Sequence, residues 1–159
     1  MWVTNDSPET VSGKLSAEHR KFGGAVLGGM SADVSLRPGE SKRVLNLTEI
    51  GILSLRDEFL HAGFNGHEST LLLAAERYLH LPQSRLRAQS RGDAIEISTD
   101  VFARQVTLDI EGVAGAVFED NYFDMLPGQI RLVKILNAGG GRAVRIRALN
   151  SDSVGAQLQ

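Results

Sequence analysis

The chain has 159 residues, 42% of them apolar, and a formal net charge of only -2. This composition predicts a globular protein of one or two domains and excludes a disordered tail. Basic and acidic residues are nearly balanced in both halves, so neither half has the excess of positive charge that attracts nucleic acid or anionic lipid. We therefore expect no nucleic-acid partner.

The longest apolar runs, such as 71–75, fall far short of the roughly 18 residues that a membrane-spanning helix needs. The amino terminus lacks the basic-then-apolar pattern of an export signal. Because there is no cysteine, neither a disulfide nor a thiolate zinc site can form. We expect no membrane partner, and the compartment stays open.

The first quarter of the chain alternates apolar and polar residues with the period of two that is typical of strands. Residues 11–20 and 30–36 are predicted as antiparallel strands, and Gly23-Gly24 is predicted to form the turn between them. His19 shares its parity with the apolar residues of the first strand. We therefore expect His19 to be a hydrogen-bonded histidine in the core or at an edge.

A second hairpin is predicted from strands 59–64 and 70–75, which flank Asn65-Gly66. The distance between the two runs predicts a loop longer than two residues. The only helical candidate is 54–60, where a strand could equally begin at Glu58. Little or no helix is expected elsewhere.

The second half repeats this pattern. Strands are predicted over 85–89, 94–98, 106–110, 130–136 and 144–148. Residues 130–136 are apolar on both parities, which predicts a strand covered on both faces or central in its sheet. The glycine run 139–141 opens no helix, so it is predicted to be a flexible hairpin loop and not a phosphate-binding loop.

A weak internal repeat links the two halves. The segment Pro38–Val44 recurs 89 positions later as Pro127–Val133, and each copy places a Pro-Gly turn just before a strand. This spacing predicts two similar β-sandwich modules of about 80 residues each. We expect an all-β protein with domains at residues 1–82 and 83–159.

The densest cluster of acids and aromatics is FEDNYFDMLPGQ, residues 118–129. A glycosidase would need two carboxyls held on opposite sides of a deep sugar pocket, which a small sandwich does not provide. We therefore predict a turn in which Asp120 and Asn121 accept backbone hydrogen bonds, while Phe123 and Leu126 enter the core. No catalytic residue is predicted.

Four histidines could in principle bind a metal, and His61 and His67 lie on either side of the Asn65-Gly66 turn. No third ligand lies at a convincing spacing from His19, His61, His67 or His80, so no metal site is predicted. Serine, histidine and aspartate are present without a nucleophile motif, and no cofactor is expected. Trp2 and Tyr122 are the aromatic residues predicted to contact a glycan, if any does.

The segment FEDNYFDMLPGQIRLVKI resembles the carboxy-terminal immunoglobulin-like domain of the β-mannosidases of glycoside hydrolase family two, where a pattern close to F-x-D-N-x-F-D-L-L-P-G-E precedes a strand. Met125 and Gln129 replace a usual Leu and Glu. The matching residues are Phe118, Asp120, Asn121, Phe123, Asp124, Leu126, Pro127 and Gly128. Upstream, WVTNDSPETVSGKLSAEHRKFGG and LRPGESKRVLNL are similar to the preceding domain of the same enzymes, with Trp2, Asn5, Asp6, Gly13 and 41–44 in register. Related exo-β-glycosidases share these motifs.

This resemblance implies two tandem immunoglobulin-like sandwiches from the non-catalytic end of a glycoside hydrolase. In that family both catalytic glutamates lie on an upstream (β/α)8 barrel, so the resemblance implies that this chain is inactive and that its partner is the barrel of a parent enzyme. That parent could be cytoplasmic, periplasmic or secreted. Two alternatives remain open: a module that binds β-mannoside glycans, and a free-standing immunoglobulin-like interaction protein.

Overall fold

A computed structural model of the protein describes residues 1–51, 54–113 and 115–158. Almost all of its regular structure is β-strand, and the two helices in these ranges are short 3₁₀ turns at Leu47–Ile50 and Glu76–Tyr78. No helix in the described part is long and apolar enough to cross a membrane. The all-β fold class predicted from the sequence is confirmed.

The chain divides into two compact units. Unit 1 consists of Met1–Lys21 and Ala25–His80, and unit 2 of Phe22–Gly24 and Leu81–Gln159. The division in the second half of the chain thus falls after His80, whereas the sequence placed its domain boundary between residues 82 and 83.

Unit 1 contains a two-stranded and a four-stranded sheet, both antiparallel. The smaller sheet pairs β1 (Trp2–Thr4) with β4 (Ser41–Arg43). The larger sheet has the order β3-β2-β5-β6, with β2 at Val11–Lys21, β3 at Val26–Leu36, β5 at Glu58–Phe64 and β6 at His67–Leu72. Leu15, Ala17 and His19 alternate with exposed or half-buried residues along β2 and are buried.

Two details of unit 1 differ from the sequence prediction. The loop between β5 and β6 has only two residues, because Phe64 pairs directly with His67. Asn65 and Gly66 both adopt positive φ, as a type I′ turn requires, so the prediction of a longer loop was wrong. Residues 54–60 form no α-helix; the alternative of a strand beginning at Glu58 is confirmed.

Unit 2 contains two four-stranded antiparallel sheets. The first has the order β10-β12-β8-β7, from β7 (Arg87–Arg91), β8 (Ala94–Ser98), β10 (Val117–Phe118) and β12 (Ile130–Asn137). The second has the order β11-β9-β13-β14, from β9 (Ala103–Ile110), β11 (Phe123–Met125), β13 (Ala143–Arg147) and β14 (Val154–Gln157). The glycine run 139–141 links β12 to β13, which lie in different sheets, so the prediction of a hairpin loop was wrong.

The core of unit 2 is formed by the strand residues whose side chains point inward. It includes Ile95, Ile97, Val106, Met125, Val133, Val144 and Ile146, each at most 1% exposed. Strand β12 lies inside its sheet, between β10 and β8, but only one of its faces is covered. Ile130, Leu132 and Leu136 are 67%, 56% and 63% exposed, so of the two predicted alternatives the central position in the sheet is confirmed and the covering of both faces is not.

The internal repeat corresponds to two turns with the same hydrogen bonds. Gly39 and Gly128 have φ values of 70° and 76°, the positive φ that a type II turn needs after proline. In unit 1 the Glu40 carboxylate accepts the N–H of Arg37 at 2.9 Å. In unit 2 the Gln129 side-chain oxygen accepts the N–H of Leu126 at 2.8 Å. The residue after each Pro-Gly pair therefore closes its own turn.

Candidate functional site

The segment 118–129 begins in β10, forms β11 and turns into β12. Asn121 determines its path, because its side-chain oxygen accepts the N–H of Leu108 and its amide donates to the carbonyl oxygen of Leu108, both at 2.9 Å. These two bonds replace those that a neighbouring strand residue would make with β9. The prediction that Asn121 binds backbone in a turn is confirmed.

Two of the three acids in this segment are bound by arginine. Asp124 accepts two bonds from Nη1 of Arg104, both at 2.8 Å, and also the N–H of Gln105 at 3.0 Å. Asp120 accepts the N–H of Asn121 at 2.8 Å and is paired with Arg131. Charge-assisted bonds of this kind hold the carboxylates in fixed structural roles. Glu119 is exposed at the surface.

The apolar members of the segment anchor it to the core of unit 2. Phe123 is buried as predicted, and the guanidinium of Arg131 lies 4.0 Å from the centre of its ring. Leu126 is only half-buried, whereas Met125 is completely enclosed. Met125 therefore takes the core position predicted for Leu126, because β11 directs Phe123 and Met125 to the same face.

The two aromatic residues predicted as glycan contacts lie in different units and are both exposed. Trp2 in β1 of unit 1 is 68% exposed, and Tyr122 in unit 2 is 74% exposed. Tyr122 has a φ of 63°, which is unfavourable for a bulky residue. The bonds of Asn121 and the burial of Phe123 on either side maintain this conformation and leave the Tyr122 ring in solvent.

The four histidines have separate surroundings. Nε2 of His19 lies 2.6 Å from Oε2 of Glu58, and both residues are buried in unit 1. His61 lies opposite Thr70 and not opposite His67, and burial lowers its pKa below the usual value of 6.5. Among the described residues no three histidine or acidic side chains are grouped as a metal would need.

Ser54, Asp57 and His80 are also close to one another. The Ser54 hydroxyl donates to Asp57, and His80 Nδ1 lies 3.0 Å from the other oxygen of that carboxylate. The Ser54 bond, followed by that of His80, lowers the pKa of Asp57. Because the carboxylate lies between serine and histidine, the imidazole cannot take a proton from Ser54 as it would in a nucleophilic triad.

Sequence reasoning missed the concave surfaces of the protein. Unit 2 has a cavity of about 290 Å³ lined by Arg85, Arg87 and Asp100. The N–H of Arg85 lowers the pKa of Asp100. Unit 1 has two adjoining cavities of about 320 and 370 Å³ beside β1. Residues distant in sequence line each cavity, so no local pattern predicts them.

Comparisons with known proteins agree with this fold. Residues 79–152 match the family model Ig_mannosidase, an Ig-fold domain. Beta-mannosidase B of Thermothelomyces thermophilus is 36% identical over 76 residues, which cover 46% of this chain and 9% of that protein. This chain therefore spans a small part of the curated relative that it matches.

Two solved structures have the same fold over almost the whole chain. Beta-D-mannosidase from Dictyoglomus thermophilum matches 95% of this chain and 20% of its own, with a TM-score of 0.71 and 19% identity. The exo-chitosanase CsxA of Amycolatopsis orientalis matches 98% of this chain and 25% of its own, with a TM-score of 0.72 and 14% identity. The resemblance predicted from FEDNYFDMLPGQ is confirmed for residues 79–152, which match the model of the mannosidase Ig-fold domain.

Proposed function

We propose that the chain is the non-catalytic carboxy-terminal region of a β-mannosidase-like glycoside hydrolase, in which its two units brace a (β/α)8 catalytic barrel. The observation that carries this proposal is the match of residues 79–152 to the mannosidase Ig-fold domain. The segment with the highest density of acids supports it, because Asp120 and Asp124 are held by arginines. These carboxylates therefore serve the fold.

The outer face of β12 provides a surface for such bracing. Ile130, Leu132 and Leu136 are exposed on one face of this strand, with Lys134 between the second and the third. The neighbouring strands of the sheet are polar on this face, where Arg91 of β7 pairs with Glu96 of β8, so the aliphatic surface is confined to β12. An exposed aliphatic surface is the kind that protein interfaces bury.

The proposal is tested by sequencing the native reading frame that contains this sequence. We expect it to encode a glycosidase barrel upstream, and we expect the longer protein, but not this chain, to hydrolyse an aryl β-mannoside. In the longer protein, Leu132→Glu should lower the melting temperature, because it places a charge in the braced face. In the chain alone, the same substitution should have little effect because Leu132 is already solvated. A reading frame without a barrel would refute the proposal.

A second candidate is a glycan-binding module, which the exposure of Tyr122 favours. Flat aromatic rings held in solvent are suited to stacking on sugar rings. Isothermal titration with manno-oligosaccharides at millimolar concentration should then give heat that Tyr122→Ala removes. Trp2→Ala provides the matched variant in unit 1. If neither ring affects the titration, or no heat is released, this candidate is excluded.

A further inference from the structure

A continuous groove runs along β1 in unit 1. Its two cavities, of about 320 and 370 Å³, share Thr4, Phe64 and His67 as lining residues. Together they follow residues 1–7 on one wall and the hairpin of β5 and β6 on the other. Because the groove follows seven consecutive residues, it has the shape of an extended chain and not that of a single sugar ring.

One wall of this groove is a free strand edge. The carbonyl oxygen of Met1 accepts the N–H of Val44 at 3.0 Å, and the N–H of Asn5 donates to the carbonyl oxygen of Glu40 at 2.9 Å. Met1, Val3 and Asn5 therefore direct their backbone groups toward β4. Since successive residues of a strand alternate, Trp2 and Thr4 direct their N–H and C=O groups toward the groove. In the described part of the chain, β4 is the only strand that pairs with β1.

The base of the groove is apolar. Leu15 and Leu36 are buried residues of the unit 1 core, and Phe64 of β5 is half-buried. The smaller sheet has two strands where the larger one has four, so part of the inner face of the larger sheet has no strand over it among the described residues. A third strand beside β1 would cover this face and satisfy the free backbone groups of Trp2 and Thr4.

We propose that this groove accepts a short extended polypeptide segment, which adds to β1 as a third strand of the smaller sheet. The inward side chains of the segment are apolar, to match Leu15 and Phe64. Its outward polar residues include a basic one, because the exposed carboxylates of Asp6 and Glu68 line the groove. This assignment does not depend on the function proposed above.

The size of the groove excludes a second copy of the chain as the main occupant. Strand β1 has three residues, and pairing two such edges buries far less than the roughly 1,200 Å² that stable complexes need. A segment tethered within a longer polypeptide avoids this requirement, because the tether raises its effective concentration. This chain covers only 20–25% of the two solved chains with the same fold, so such proteins contain ample further polypeptide.

The experiment adds a third strand to the amino terminus of the full chain. The extension Lys-Val-Thr-Val-Thr-Asn-Gly-Thr, placed before Met1, forms a two-residue Asn-Gly turn and pairs its strand with β1. In this register both valines lie opposite Met1 and Val3 and face the groove. A control extension, Val-Lys-Val-Thr-Thr-Asn-Gly-Thr, has the same composition, but its valines face solvent.

We expect the first extension, and not the control, to raise the melting temperature by about 4 °C or more. It should also slow hydrogen exchange at the amides of Trp2 and Thr4. In the extended chain, Thr4→Pro should remove these gains, since it deletes a backbone donor that faces the groove. Thr4→Val, which loses only the hydroxyl bond of Thr4 to Ser41 of β4, should keep them.

Equal behaviour of the two extensions in melting and exchange would overturn the proposal. So would protection of Trp2 and Thr4 already present in the unextended chain. If the Thr4→Pro chain does not fold, the comparison between the two extensions decides by itself, because neither extension changes a residue of the native sequence.

Discussion

The two units are built from the same kind of hairpin but enclose very different amounts of apolar side chain. The core cluster of unit 2 has fourteen buried residues between two four-stranded sheets. In the described part of the chain, the cluster of unit 1 has five buried residues between a four-stranded and a two-stranded sheet, and three further buried apolar residues, Phe59, Leu60 and Ala62, lie on β5 outside it. Unit 1 also buries a histidine and a glutamate. The comparison indicates that unit 2 is stabilised by packing, whereas unit 1 depends more on individual polar bonds.

The largest effect should come from breaking the buried pair of unit 1. Glu58→Ala leaves His19 without its carboxylate and removes the acceptor of the Ser54 N–H, so we expect a loss of about 3–5 kcal/mol. Chemical denaturation followed by the emission of Trp2 measures it, because Trp2 lies in unit 1. The double variant His19→Leu/Glu58→Leu should recover part of the loss, since the buried imidazole is then removed together with its partner, while the Ser54 N–H still lacks its acceptor. If Glu58→Ala lowered the free energy of unfolding by less than about 1 kcal/mol, unit 1 would not depend on its polar bonds in this way.

Matched truncations in the two cores should sharpen the difference. Ile146→Ala leaves a closed cavity in unit 2 and should cost about 2–5 kcal/mol, toward the upper end because its surroundings are completely buried. Leu15→Ala should cost less, because Leu15 already borders an open groove that water can enter. Circular dichroism during urea denaturation measures both losses. A larger loss for Leu15→Ala than for Ile146→Ala would reverse the comparison.

The two Pro-Gly turns provide a smaller and more symmetrical test. Glu40→Ala and Gln129→Ala each remove the side chain that closes its turn, at a cost of about 1 kcal/mol. Glu40→Gln and Gln129→Glu are matched controls that keep the accepting oxygen and should cost little. Thermal unfolding of the four variants checks this. A lower melting temperature for either control would show that the turn depends on more than the accepting oxygen.

These turns also show what a sequence can predict. Pro-Gly followed by an acceptor is a local pattern, so both turns and their spacing of 89 residues were visible before the structure. The alternation of Leu15, Ala17 and His19 was likewise sufficient to identify a strand and its buried face. The turn at Asn65-Gly66 was found, but its two-residue length depends on the pairing of Phe64 with His67, which the apolar pattern did not determine.

Features that depend on distant residues were not predictable. The apolar character of Ile130 and Leu132 left two predictions open, a strand covered on both faces or one central in its sheet, because whether another layer covers a strand depends on topology and not on the strand itself. Asn121 was expected to bind backbone, yet its partner Leu108 is 13 positions away. The groove beside β1 depends on which strands lack neighbours. A sequence therefore predicts strands and turns better than it predicts the surfaces between them.

The smallest expected effect is the pH dependence that His61 gives to unit 1 between pH 7 and pH 5. Burial lowers the pKa of His61 below its unfolded value of 6.5, so the unfolded chain binds a proton more readily than the folded one. This histidine therefore destabilises the fold as pH falls below about 6.5 and has no effect well above it. His61→Gln, which keeps a polar side chain opposite Thr70, should reduce the fall in melting temperature between pH 7 and pH 5. An identical pH profile for the variant and the native chain would show that His61 is solvated, and that the inner strands of unit 1 are more open than their burial indicates.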